Sequence, residues 1–427
     1  MTPRRGVLVL CPSQRDHREI ARLKRAPEYT FFFHDYDASI DNGESCPPFD
    51  LPLADPEPEI ERIVNGYAGK GIAAVVSSDD YPGSALAAIV AERLGLPGPA
   101  PSVNLLCQHK YHSRQAQRAV IPQSVPHFDI LDPKPGAALP PGMQLPFFIK
   151  PIKSFFSVGA QPVYRLDELD LAKLRASLPE IFFRPLKALI AKYTSLSWDD
   201  STLLAESLLQ GRQTTVEGYA YQGEINVLGV VDSIFYPGTL SFQRFEYPSS
   251  LPQTAQQRMT DIAKKMMSRI GFDNGLFNIE FMYDPNSEAI HVIEINPRMS
   301  PQFCDLFEKV DGTNTYQVLL DIAAGIKPAI AVKSGPHAMA ASCALRIFED
   351  KRVIRSPSLA EIEQLERSCP GVRVEVFARE GARLSDDVQD GHSYCYGIVS
   401  IGGKNRQDIL NVLNDCVGNL AFVFTAA

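Results

Sequence analysis

Residues 277–300, FNIEFMYDPNSEAIHVIEINPRMS, constrain this chain more than any other stretch. Two runs of alternating residues, FNIEFMY and IHVIEIN, flank a turn-forming DPNSEA segment, a pattern that predicts an antiparallel β-hairpin. Side chains alternate faces along a strand, so Asn278, Glu280 and Met282 share one face of the first strand, and Val292, Glu294 and Asn296 one face of the second. Folding about Ser287 sets Glu280 opposite Glu294 and Asn278 opposite Asn296. Directly opposed residues have Cβ atoms about 4.5–5.5 Å apart, and like charges there are destabilising. A divalent cation between the carboxylates removes that penalty. Two glutamates with an asparagine carbonyl form an all-oxygen set, suited to Mg²⁺ or Mn²⁺ rather than zinc. The alternative is a solvated polar face on an edge hairpin. The otherwise apolar strands, and the INPR that brings Arg298 beside the acids, favour the metal. A one-residue slip in register would undo the pairing.

The 427 residues suffice for two to four domains with substantial cores. A net charge of −8 gives no electrostatic footprint for nucleic acid or an anionic membrane. The apolar run in MTPRRGVLVLCPS is too short for a signal peptide or a membrane span and reads as a first strand. Eight scattered cysteines without a CxxC pair fit reduced thiols and a cytoplasmic location.

Residues 6–105 alternate strands (GVLVLC, YTFFFHD, IAAVVSSD) with helices, SALAAIVAERL at 84–94 being the clearest, which predicts a parallel sheet. GYAGKG at 66–71 lacks phosphate-loop spacing and reads as a helix end with glycine stops. A helical segment is expected over 103–120, strands at PFFIKP, LLAESLL, TTVEGYAY and EINVLGVVDS, and a helix over 254–270. The segment SFQRFEYPSS at 241–250 reads as a polar, aromatic loop, in which Arg244 would clamp a substrate carboxylate or pair with Glu246. His109 and His112, one helical turn apart without an acidic partner, read as exposed helix histidines. The last hundred residues form a β-rich unit closed by a helix near 406–418. Nucleophile signatures such as GxSxG and HExxH are missing.

Taken in order, HKYHSRQ (109–115), FIKP (148–151), LLAESLLQGRQTTVEG (203–218) and the glutamate hairpin resemble the ATP-grasp superfamily over roughly residues 103–330. The resemblance implies an α/β and α+β multidomain fold: a Rossmann-like domain over 1–105, ATP-grasp subdomains over 106–200 and 201–330, and a small β-rich domain over 331–427. It implies ATP and Mg²⁺ (or Mn²⁺) as cofactors. Lys110 and Lys150 would contact ATP phosphates, with Lys150 also near the adenine. Glu206 and the backbone of Ser207 and Leu208 would meet the purine. Relatives often place an acid on the ribose where this chain has Gln213, which can still hydrogen-bond a hydroxyl. Ser154, Ser157 and Gly159, in a loop less glycine-rich than the biotin carboxylase version because of Phe155 and Phe156, would close over the phosphates. Glu280, Glu294 and Asn296 would hold the metal, and Arg298, with Lys150, would stabilise the phosphoryl group in flight through charge.

The activity implied is an ADP-forming ligase that joins a small, amino-acid-like carboxylate to an amine through an acyl phosphate. Its partners would be those small molecules, with neither nucleic acid nor membrane. Relatives are often dimers, so a homodimer is admissible. A biotin-carboxylase-type carboxylase using bicarbonate and a non-catalytic nucleotide-binding protein are the alternatives.

Overall fold

The computed structural model describes residues 4–35, 56–131, 139–154, 159–169, 180–198, 203–387, 389 and 393–426. Its contacts divide into two compact units. The first comprises 1–229, 252–300 and 319–328, and the second 230–251, 301–318 and 329–427.

The first unit begins with a parallel sheet in the order Tyr29–His34, Arg5–Leu10, Ile72–Val76. Helices Gln14–Ala21, Pro56–Tyr67 and Gly83–Arg93 accompany it. Gly69 and Gly71 end the second of these with φ of 77° and 66°, a region glycine enters without steric cost. Leu8, Leu10, Ile60, Ile63, Leu86 and Ile89 form the core here. Leu186, Leu189 and Ile190 of helix Glu180–Tyr193 join them from much later in the chain.

A four-stranded antiparallel sheet follows, ordered Phe128–Leu131, Leu203–Ser207, Phe147–Pro151, Gln161–Val163. The remaining strands of this unit run Ile290–Asn296, Gly275–Tyr283, Arg212–Tyr221. One face of that set is apolar: Val216, Phe277, Ile279, Phe281, Val292 and Ile295 are all buried. Helix Gln253–Ile270 belongs to the same unit and buries Ala255, Met259, Ala263, Met266 and Met267, which recur at helical spacing. Thr214 and Met259 touch across this layer at 3.5 Å. The opposite face carries Thr215, Glu217, Asn278, Glu280, Glu294 and Asn296, so the polar positions are collected by strand alternation alone.

The second unit orders the end of strand Glu224–Phe235, then Phe242–Tyr247, Met339–Ile347, Tyr394–Gly403 and Val372–Val376. Helices Leu359–Ser368 and Arg406–Asn419 pack on it through Leu365, Ile409 and Cys416.

Three local expectations need correction. Residues 241–250 hold a strand, Phe242–Tyr247, rather than a loop, because neighbouring strands on both sides satisfy its backbone. The helix over 103–120 is two helices, Pro101–Gln108 and Lys110–Val120. His109 is extended between them (φ −95°, ψ 99°), and its ring accepts from the His112 N–H as an N-cap. His109 is therefore buried, with its ring 4.3 Å from that of His112 and edge-on to Trp198 at 4.4 Å, and is not an exposed helix residue.

Candidate active site

The hairpin register is the expected one at the acids: Asn278 lies opposite Asn296, and Glu280 opposite Glu294. Beyond them the register changes, pairing Phe281 with Val292 and Met282 with His291. Ile293 is the extra residue of a β-bulge. Val292 consequently faces the apolar side with Phe281, and not the side of Glu294 as strict alternation had it.

The two glutamates respond to each other. Burial, and then the charge of Glu294, push the Glu280 carboxyl well above the usual carboxylate range. Burial would raise Glu294 too, but Lys110 and then Lys150 outweigh it and hold that carboxyl low. Asn296 Nδ2 donates to Glu280 at 3.4 Å and to the Asn278 carbonyl oxygen at 3.3 Å. Gln213 donates to Glu280 at 2.9 Å, which places it beside the acids. Two opposed carboxylates, one of them resisting ionisation next to the other, with an amide side chain in contact, are a donor set that fits a hard divalent cation. Among the described residues there is no group of three or more His, Cys, Asp or Glu arranged for a metal, so any such site relies on the asparagine as well as the acids.

Glu217, which the sequence did not single out, lies on the same polar face opposite Asn278. Its oxygens accept from Asn278 Nδ2 at 2.7 Å and the Ser300 N–H at 2.8 Å. Burial nevertheless pushes it up to about 8.

The predicted lysines face these acids. Lys110 opens its helix, its N–H donating to Ile152 O, and its ammonium sits 2.7 Å from Glu294 and 3.4 Å from Ser154 O. Lys150 lies 2.9 Å from Glu206 and donates to Ile293 O at 3.2 Å. Burial lowers the Lys150 ammonium below the usual lysine range, opposed by Glu206. Arg298 Nε approaches Asp80 at 3.4 Å. Ser207 donates its backbone N–H to His127 O, and Leu208 follows the strand end. Ser154 is buried, Gly159 adopts φ 72°, and Ser157 lies outside the described residues. Arg244, in the second unit, donates to Glu246 at 2.7 Å; a carboxylate clamp there would have to displace that pair.

Sequence reasoning passed over three further residues of this constellation besides Glu217. Lys153 pairs with Asp80 at 3.1 Å and donates to Gln108, and burial lowers its ammonium. Asp80 receives both Lys153 and Arg298; burial would raise its carboxyl, but these two cations drive it far below the usual range. Its place just past the C-terminal end of a parallel strand, where ligands gather in α/β sheets, was the legible signal. Arg114 is the third, with no sequence signal beyond its place in HKYHSRQ.

Glu206 is buried and ion-paired, not an exposed glutamate. Burial alone would raise its carboxyl, but Arg114 and then Lys150 hold it at about 2, against an ordinary 4.5. An unfolded chain takes up this proton near 4.5, whereas the folded one refuses it until about 2. The pairing therefore stabilises fully above that window and is lost as pH falls through it. Urea unfolding of the wild type should weaken across this range. Glu206→Gln should show a flatter dependence there and lose about 3–5 kcal/mol at neutral pH, because two buried cations lose their partner. Equal slopes for both proteins would contradict the assignment.

Residues 143–305 match the ATP-grasp domain family. Over 212 residues the chain is 24% identical to the D-alanine–D-alanine ligase of Flavobacterium psychrophilum, covering 47% of this chain and 57% of the ligase. The chain thus spans little more than half the length of that curated relative. Among solved structures it resembles an L-amino acid ligase from Bacillus licheniformis, at TM-score 0.73 and 17% identity, over 100% of both chains. It also resembles a biotin carboxylase from Campylobacter jejuni, at TM-score 0.64 and 14% identity, over 98% of this chain and 92% of the other. These likenesses show a shared mixed α/β multidomain fold. No helix among the described residues is long and apolar enough to cross a membrane. The acid hairpin and Lys150 lie within residues 143–305, the segment that matches the ATP-grasp domain family.

Proposed function

We propose that the protein is an ATP-dependent ligase that joins a small, amino-acid-like carboxylate to an amine through an acyl phosphate, releasing ADP and phosphate in the cytoplasm. The observation that carries this reading is the opposition of Glu280 and Glu294, with Lys110 on one of them and Arg298 two residues past Asn296. Similarity to a D-alanine–D-alanine ligase supports amide-forming chemistry.

Glu280, Glu294 and Asn296 would hold Mg²⁺ or Mn²⁺. When bound, that ion supplies charge neutralisation on the β- and γ-phosphates. The chain's own residues do the rest. Lys110 is positioned to exchange its bond with Glu294 for one to a phosphate oxygen, and Lys150 and Lys153 keep positive charge nearby. Glu206 and the backbone of Ser207 and Leu208 would bind the purine, and Gln213 the ribose. Ser154, Ser157 and Gly159 would cover the triphosphate. Arg298, anchored on Asp80, would stabilise charge on the phosphoryl group as it passes to the carboxylate. The amine then attacks the acyl carbon and phosphate leaves. This scheme requires no covalent enzyme intermediate, only positioning and charge.

Product analysis tests the proposal. With Mg-ATP, pooled carboxylates and pooled amines, ADP and phosphate should form only when both pools are present. AMP and pyrophosphate would replace the acyl phosphate with an adenylate. Turnover with bicarbonate and no amine would make the protein a carboxylase.

A further inference from the structure

Arg114 lies on helix Lys110–Val120, and its side chain is only 2% exposed. All five of its N–H groups have partners. Nε and Nη2 donate to the two carboxylate oxygens of Glu206, at 2.5 and 3.3 Å. Nη1 donates to Gln117 Oε1 and to Val292 O, the latter at 2.8 Å. The second Nη2 proton goes to Ile293 O, also at 2.8 Å.

Those last two bonds are unusual. Carbonyls of consecutive residues in a regular strand point in opposite directions, so one planar guanidinium cannot take both. Here it does, at the position where the bulge inserts Ile293. Lys150 adds a second cation to the Ile293 carbonyl and shares Glu206 with Arg114. The tip of the hairpin, where Met282 faces His291 and Phe281 faces Val292, is in a register that would continue to Ile293 opposite Glu280. The bulge alone changes this and brings Glu294 across from Glu280. A one-residue difference in register sends a side chain to the other face of the sheet.

We propose that Arg114 is a positioning residue for the divalent metal: by holding the Val292 and Ile293 carbonyls it fixes the bulge, and the bulge pairs Glu294 with Glu280. Through Glu206 the same guanidinium ties the nucleotide strand to the metal hairpin. This rests on the ATP-dependent reading above. Arg114 touches neither nucleotide nor metal in this scheme. Lysine cannot replace it, because one ammonium cannot span a carboxylate, a side-chain amide and two carbonyls.

The test is ADP binding by calorimetry to the full chain over a Mg²⁺ series, repeated with Mn²⁺, with melting temperatures recorded alongside. Arg114→Lys should raise the half-saturating metal concentration about tenfold or more, as loss of an orienting partner does at metal sites, a larger change than any in ADP affinity without metal. Gln117→Leu removes one partner of Arg114 and should shift the metal requirement in the same direction by less. It serves as the test if Arg114→Lys fails to fold. A variant with a lower melting temperature but wild-type metal dependence would reduce Arg114 to a packing role and overturn the proposal. Wild-type protein that binds ADP with no response to either metal would instead overturn the ATP-dependent reading, and this inference with it.

Discussion

Glu294→Gln is expected to lower turnover by about two to three orders of magnitude, the several kcal/mol that a correctly held metal ion supplies in phosphoryl transfer. The glutamine keeps the shape of the side chain and can still accept from Lys110, now at 2.7 Å from the carboxylate. What it removes is one of the two negative charges facing the cation. It should also relieve Glu280, whose carboxyl is raised by burial and by the charge of Glu294. The melting temperature should fall only modestly: Lys110 loses its counter-charge, while the relief of Glu280 and the retained strand pairing offset that loss. ATP turnover with pooled substrates, with a melting curve as control, checks this. A folded variant with wild-type turnover would remove Glu294 from the metal set.

Arg298→Ala should reduce kcat by about a thousandfold, the lower range for an arginine that meets transition-state charge in phosphoryl transfer. The KM for ATP should change much less. Asp80, at 3.4 Å from Nε, and the Met299 carbonyl, at 3.3 Å from Nη1, orient the guanidinium in the protein without nucleotide. An arginine that gripped ATP equally in ground and transition states would show the reverse, a raised KM with kcat preserved. Steady-state kinetics at saturating metal separates the two. The variant leaves Asp80 still paired with Lys153, so a modest loss of stability is part of the expectation.

What the sequence disclosed follows from which physical signals are periodic. Alternation in FNIEFMY and IHVIEIN was enough to place Glu280 against Glu294, because strand pairing repeats every two residues. The same logic failed at Val292, since a bulge leaves no mark in the hydrophobic pattern when the inserted residue is itself an isoleucine. The three parallel strands and the amphipathic helices were legible for the same reason. Residues 241–250 were not, because a strand held by the preceding strand on one side and by Met339–Ile347 on the other mixes aromatic, charged and polar positions freely. Burial of single polar side chains was invisible as well. His109, the N-cap, and Arg114, within the helix it caps, lie in a segment whose composition reads as solvated, yet tertiary contacts from Trp198, Glu206 and the hairpin bury both. Lys153 and Asp80 were hidden by separation: their pairing joins positions more than seventy residues apart.

The clamp on Val292 and Ile293 divides the hairpin into a base that must be kept and a tip that need not be. The Arg114 bonds that fix the acid pair reach no further along the hairpin than the Phe281–Val292 pair, whereas Asp284, Asn286 and Ser287 bond among themselves in the exposed turn. Length changes in that turn can be absorbed where they occur. Substitutions in this turn should therefore leave the acids in place, and a reporter group attached at Asn286 or Ser287 would ride on the site without entering it.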